Sequence, residues 1–195
     1  MSRSARIALV AAGMIAVIIA MAALYARDLH GGTEITLKTE PVDPRSLFLG
    51  HYATLGYAIN RLEGDILAGR CYRRHDAIFV TLEETDGEWR AVRAAPSMPD
   101  DGFAQGRVTL RGRVAWGVCP EPVARSFRTV DYGVEQYFAS PGAAKRLEDL
   151  ARRLPIEGEE ALAPLEIVLS VPRSGRALIK GVVIDGEKVY DQTIW

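Results

Sequence analysis

Residues Ile7–Ala26 run for about 20 positions without a charged side chain, and this run limits what the chain can become. As an α-helix it is long enough to cross the hydrocarbon layer of a bilayer. As a helix inside a water-soluble fold it would need apolar cover all round. As a secretory signal it is longer than the usual apolar stretch, although Ala20-Met21-Ala22 offers a small-residue cleavage site that would start the mature chain near Ala23. A retained anchor fits the length best. Arg3 and Arg6 precede the run and Arg27-Asp28 ends it. The positive-inside tendency then puts residues 1–6 in the cytoplasm and the remainder across the membrane, with Tyr25 at the interface. The expected first partner is the lipid bilayer, through residues 7–26.

His30-Gly31-Gly32 reads as a hinge inside a linker at 27–33, and residues 34–195 are enough for one domain. A net charge of -1 gives no bulk electrostatic pull toward nucleic acid. Period-two alternation predicts strands at Glu34–Glu40, Asp76–Leu82, Glu88–Ala95, Arg107–Trp116, Leu165–Val171, Arg176–Ile184 and Glu187–Tyr190. Asp86-Gly87 and Asp185-Gly186 are hairpin turn signals. In Arg107–Trp116 the alternation puts Val108, Leu110, Val114 and Trp116 on one face. Arg107, Thr109, Arg111 and Arg113 take the other, a face either solvated or able to grip an anion. Residues 61–74 read as a loop, and 96–106 as another. Ser140-Pro141 opens a helix whose apolar positions Ala144, Leu147, Ala151 and Leu154 recur at helical spacing until Pro155. The expected class is α+β, mainly antiparallel β with one packed helix at 141–153, preceded by a single N-terminal transmembrane helix.

The most distinctive stretch after the anchor is Asp43-Pro44-Arg45-Ser46-Leu47-Phe48-Leu49-Gly50-His51-Tyr52-Ala53-Thr54-Leu55-Gly56-Tyr57. As one extended strand it would align Ala53, Leu55, Tyr57 and Ile59 on a core face and turn Tyr52 to the opposite side. Tyr57 would be a core residue whose hydroxyl needs a partner, and Gly50 would allow a backbone conformation that a side chain resists. Tyr52 would need its own cover, from a second layer of this domain or from another protein. Gly50, Tyr52, Leu55 and Tyr57 resemble the Gly-Asp-Tyr-x-x-Leu-x-Tyr pattern of the GDYXXLXY family of membrane-anchored bacterial proteins. His51 stands where that pattern has aspartate. The runs Tyr132-Gly133-Val134-Glu135 and Arg176-Ala177-Leu178-Ile179-Lys180-Gly181 are similar to later blocks of the same family. The resemblance implies a single-pass, inner-membrane protein with a periplasmic domain at 34–195. It implies a companion of a multi-pass membrane protein rather than a named reaction. Gly50, His51, Tyr52, Leu55 and Tyr57 are its candidate interaction residues.

Catalytic and metal chemistry find little footing. His51, His75, Cys71 and Cys119 lack the paired short spacings of a zinc site, so neither metal nor cofactor is expected. Ser46 and the residues after it are similar to the serine stretch of signal peptidase-like Ser/Lys proteases. Lys38, Lys145, Lys180 and Lys188 are the only lysines, and none sits in a block matching that family's base. No catalytic residue is assigned. In an oxidising compartment Cys71 and Cys119 would either bridge a loop of about 48 residues, worth roughly 4 kcal/mol in the chain-entropy picture, or remain two separate buried thiols. The expected role is a non-catalytic accessory subunit. The competing role is a tethered hydrolase or ligand-binding domain with its cleft between the sheet and the 96–106 loop.

Overall fold

The computed structural model describes residues 2–40, 52–67, 70–118, 127–138, 166–184 and 187–191. Gly50, His51, Cys119 and the helix expected at 141–153 lie outside the described residues, and of Tyr52 only the backbone pairing is described.

Helix α1 (Arg3–Gly31) begins at Ser2, whose side-chain oxygen accepts a hydrogen bond from the Ala5 amide at 3.2 Å. The side chains of the uncharged run point away from the rest of the protein, and residues such as Ile7, Met14 and Ile19 are more than half exposed. The helix does not stop at the charged pair Arg27-Asp28. It continues through the residues expected to form a hinge and passes at Gly32 into β1 (Thr33–Glu40). The reason is tertiary. Leu29 is completely buried, and the Ser170 hydroxyl donates to the Asp28 carbonyl at 2.9 Å. Gly32 passes so close to the sheet that an added Cβ would lie 2.8 Å from backbone atoms of Val171. Gly32 is thus a point of close approach rather than of freedom.

Eleven further strands follow: β2 (Tyr52–Thr54), β3 (Gly56–Tyr57), β4 (Arg61–Glu63), β5 (Ala77–Thr85), β6 (Glu88–Ala95), β7 (Arg107–Val118), β8 (Phe127–Asp131), β9 (Gln136–Phe138), β10 (Glu166–Val171), β11 (Leu178–Ile184) and β12 (Glu187–Asp191). One sheet has the order β12-β11-β10-β1-β3, a second β4-β8-β7-β5-β6, and β2 pairs with β9 alone. Every described pairing is antiparallel. With one apolar helix and antiparallel sheets that nearly close into a barrel, the class is α+β.

The core lies between the two large sheets. Ile35 and Leu37 of β1 and Ile167, Leu169 and Val171 of β10 meet Val80 and Leu82 of β5 and Val108 and Leu110 of β7 in one apolar cluster. Strand alternation supplies these faces, as expected of half-buried antiparallel strands. β10 is buried on both faces: Ser170, on the side opposite the core, has no exposed surface and receives the end of α1. The Asp86-Gly87 tip has positive φ at both residues, 54° and 77°, which matches the mirror-image turns that suit hairpin twist.

Three further expectations change. The stretch at 52–59 is not one strand. β2 pairs with β9, β3 pairs with β1, and Ala58–Asn60 is a single 3₁₀ turn, because the partners of the two halves lie in different sheets. Leu55, Tyr57 and Ile59 are nonetheless all buried in the core. Residues 61–63 form strand β4 against β8 rather than loop, and β8 itself has no counterpart among the expected strands. Trp116 does not share a face with Val114. A bulge after Val114 admits one extra residue, so Val114 opposes Val130 while Trp116 opposes Thr129. Trp116 therefore stands outside, 56% exposed, with its ring 5.3 Å from that of Phe127.

Candidate functional site

Two of the three blocks that carry the family resemblance, 52–57 and 132–135, meet in space. Backbone pairing begins the contact: Tyr52, Ala53 and Thr54 lie opposite Phe138, Tyr137 and Gln136, and the Leu55 amide donates to the Glu135 carbonyl at 2.8 Å. Side chains complete it. Tyr57, 3% exposed, donates its hydroxyl to the Val134 carbonyl at 3.0 Å. Tyr132, 5% exposed, donates to the Ile59 carbonyl at 2.8 Å. Each tyrosine reaches from one block into the backbone of the other.

Between them sit Asn60 and Glu135. The Asn60 side-chain oxygen accepts from the Tyr57 amide at 2.8 Å, which caps the 3₁₀ turn. Its Nδ2 donates to the Val130 carbonyl at 2.8 Å and to Glu135 Oε1 at 3.1 Å. Glu135 Oε1 also accepts from the Tyr132 amide at 2.6 Å, and Oε2 from the Gly133 amide at 2.8 Å. The carboxylate thus closes a turn whose Gly133 has φ of 82°. A charged acceptor on two adjacent amides is among the stronger hydrogen-bond arrangements available to a turn. Burial, and secondarily the Glu135 charge, push the phenol pKa values of Tyr57 and Tyr132 up, so both hydroxyls stay protonated as donors. Both hydroxyls face backbone carbonyls, an arrangement for holding two segments together and not for attacking a substrate.

One wall of this clasp is also one wall of a cleft of about 380 Å³, lined by residues 36–39 of β1, residues 57–59, the hairpin tip at 87–90, and Glu166. This cleft is at the β5–β6 hairpin, whereas the competing reading expects one beside the 96–106 loop. That loop is folded onto β7, where Thr109 donates its hydroxyl to the Gly102 carbonyl at 2.9 Å. Charges at the cleft mouth answer one another: Lys38 pairs with Glu88 at 2.8 Å, and Glu88 with Arg90 at 3.1 Å. The ion pair with Lys38 holds the Glu88 carboxyl below the usual range and Lys38 above its own.

Among the described residues no group of three or more His, Cys, Asp or Glu is placed to hold a metal ion. Cys71 is disulfide-bonded, and Cys119 lies outside the described residues. The segment after Cys71 is fastened by Arg128, a 97%-buried arginine of β8 whose Nε donates to the Tyr72 carbonyl at 2.7 Å. Leu55 and Tyr57 stand in the core, as strand alternation suggests. Asn60 is a residue that sequence reasoning passed over, and Glu135 entered only as part of a resembling run, with no role given. Their signal was present but indirect: each lies within three residues of a motif tyrosine, and asparagine is a side chain suited to turns.

A family model described as GDYXXLXY protein matches residues 14–182. No curated protein and no solved structure matches the chain.

Proposed function

We propose that this chain, which belongs to the GDYXXLXY family, is a membrane-anchored accessory protein that holds a β-rich domain at the bilayer surface for a membrane-protein partner. The observation that supports this most is α1. Its apolar window has a mean hydropathy of 2.8 with none of it buried against the rest of the protein. A helix so apolar and so uncovered has lipid as its natural surroundings. In this reading residues 1–6 are cytoplasmic, residues 7–26 span the inner membrane, and the domain is periplasmic. A Cys71–Cys119 bridge then suits the compartment. The clasp supports a companion role over a reaction in this reading, since its polar groups are spent on internal carbonyls and amides. Gly50, His51 and Tyr52, which precede the clasp residues in sequence, are the proposed partner-contact positions.

The test has two parts. The full chain should resist alkaline carbonate extraction from membranes and keep its N-terminus. Recovery as a soluble chain starting near Ala23 would replace the anchor with a cleaved signal. Purification from native membranes should bring a multi-pass protein with it, at a yield reduced by substitution of His51 or Tyr52. Loss of that co-purification on neither substitution removes the proposed partner face. The cleft beside Lys38 and Trp89 supports a second reading, a ligand-binding domain. A small molecule that raises the melting temperature of wild type but not of a Trp89→Ala variant would favour it.

A further inference from the structure

The junction between α1 and the domain fixes which edge of the domain meets the membrane. The uncharged run Ile7–Ala26 extends about 30 Å as a helix, the thickness of the hydrocarbon layer. Residues 27–31 add about 7 Å, roughly the depth of one headgroup layer. Within those residues Leu29 is buried, Asp28 accepts from Ser170, and α1 packs against β10 and β11. The ends of β10 and β11 that meet α1 are joined by residues 172–177, so in the anchored reading of α1 this connection would lie at headgroup depth.

That connection is built rigidly and is basic. Gly175 has φ of 79°, and a Cβ there would sit 2.9–3.1 Å from Met98, Arg111 and Thr109. The Arg111 amide donates to the Gly175 carbonyl at 2.8 Å, along the edge of β7 that β8 leaves unpaired before Arg113. Arg173 and Arg176 flank this fixed point, and Arg111 adjoins it; all three are exposed. Among the described residues none of the three makes an ion pair. Lys180 and Glu34, close by, neutralise each other. Arg27 and Asp28 lie in the last turns of α1, and the 96–106 loop, whose Met98 meets Gly175, carries Asp100 and an Asp101 paired with Arg93 and Arg107.

We propose that Arg173 and Arg176, with Arg111 beside them, bind the phosphates of anionic lipid headgroups, so that the domain rests on the bilayer by its β10–β11 connection. This rests on the anchored reading of α1. Guanidinium forks suit phosphate oxygens, and a planar anionic surface meets several of them at once. Each arginine at such a surface strengthens attachment about five-fold.

The experiment reconstitutes the full chain in phosphatidylcholine vesicles doped with phosphatidylglycerol. Electron paramagnetic resonance then compares how strongly spin-labelled phosphatidylglycerol and spin-labelled phosphatidylcholine associate with the protein. The wild type should prefer the anionic lipid several-fold, and molar salt should weaken that preference by screening. R173Q/R176Q, changed only at exposed positions, should keep the wild-type melting temperature and lose most of the preference. Equal association of both lipids with the wild type overturns the proposal, as does an unchanged preference in R173Q/R176Q. If that variant folds poorly, a wild-type preference indifferent to salt overturns it equally. Failure of the wild-type chain to float with the vesicles overturns the anchored reading itself, and this inference falls with it.

Discussion

Replacing Glu135 with alanine tests the clasp at the residue where most of its bonds converge. The change removes the acceptor of three donors: the Tyr132 amide, the Gly133 amide and Asn60 Nδ2. They are not equivalent. Gly133 is exposed, so its amide turns to water, and Asn60 keeps the Val130 carbonyl. Tyr132 is buried, and its amide loses a charged acceptor without replacement. Hydrogen bonds to charged groups contribute about 1.5–3 kcal/mol each. One full loss and one partial loss give about 2–3 kcal/mol for Glu135→Ala. For a domain of this size that lowers the melting temperature by roughly 5–10 °C. Glu135→Gln keeps one carbonyl oxygen but sets an amine against the second donor, so it should fall between alanine and wild type. Urea unfolding of the detergent-solubilised protein, followed by tryptophan fluorescence, reads the midpoint and slope separately. A Glu135→Ala protein within about 0.5 kcal/mol of wild type would refute the claim that the two motif blocks are held through this carboxylate.

Tyr57→Phe removes one buried hydroxyl bond and should cost about 1 kcal/mol, whereas Tyr57→Ala should cost about 3–5 kcal/mol by emptying a core site; equal losses in urea melts would contradict the packing role. Gly32→Ala drives a methyl into the Val171 backbone and should destabilise by about 1–3 kcal/mol, measured on the full chain; an unaffected midpoint would mean that α1 is not docked as described. Asp131, at the exposed end of β8, has its pKa raised first by partial desolvation and then by the Glu135 charge. An acid raised in the fold favours folding below its range and opposes it above. Asp131→Asn should therefore raise the melting temperature at pH 7 and bring no gain at pH 3, and a gain equal at both would sink the electrostatic account. Thiol labelling of the denatured, unreduced full chain should find no free thiol, and two reactive thiols would exclude a Cys71–Cys119 bridge.

Much of the sheet was legible because its strands are half-buried: β1, β5, β6 and β10 carry alternating or continuous apolar faces, and the Asp-Gly at 86–87 marks its turn. What escaped reading depends on partners far away in sequence. β4 has only three residues, too few for a period to register, and exists because β8 runs alongside. Trp116 left its expected face through one extra residue in β7, which nothing in the local pattern announces. The motif stretch looked like one strand because its apolar positions do alternate. It is two because its halves pair with different neighbours. At the candidate site the tyrosines were readable as aromatic core residues, but their acceptors are main-chain carbonyls more than 70 positions away, and such carbonyls have no sequence signature. The end of α1 misled for a related reason. Two glycines and a histidine suggest slack, and only Ser170 and Val171 reveal that the small residue makes room for a neighbour.

The passage of α1 into β1 without slack has a mechanical consequence. An α-helix advances 1.5 Å and turns about 100° per residue. With Leu29 locked beneath the sheet, the domain is indexed to the helix like a key on its shank. One residue inserted between Ala26 and Arg27 would turn the domain about 100° around the axis of α1 while shifting it along that axis by little more than an ångström. A deletion of one residue would swing it the opposite way. In the anchored reading, a torque applied to α1 inside the bilayer would reach the domain as rotation, undamped by a linker.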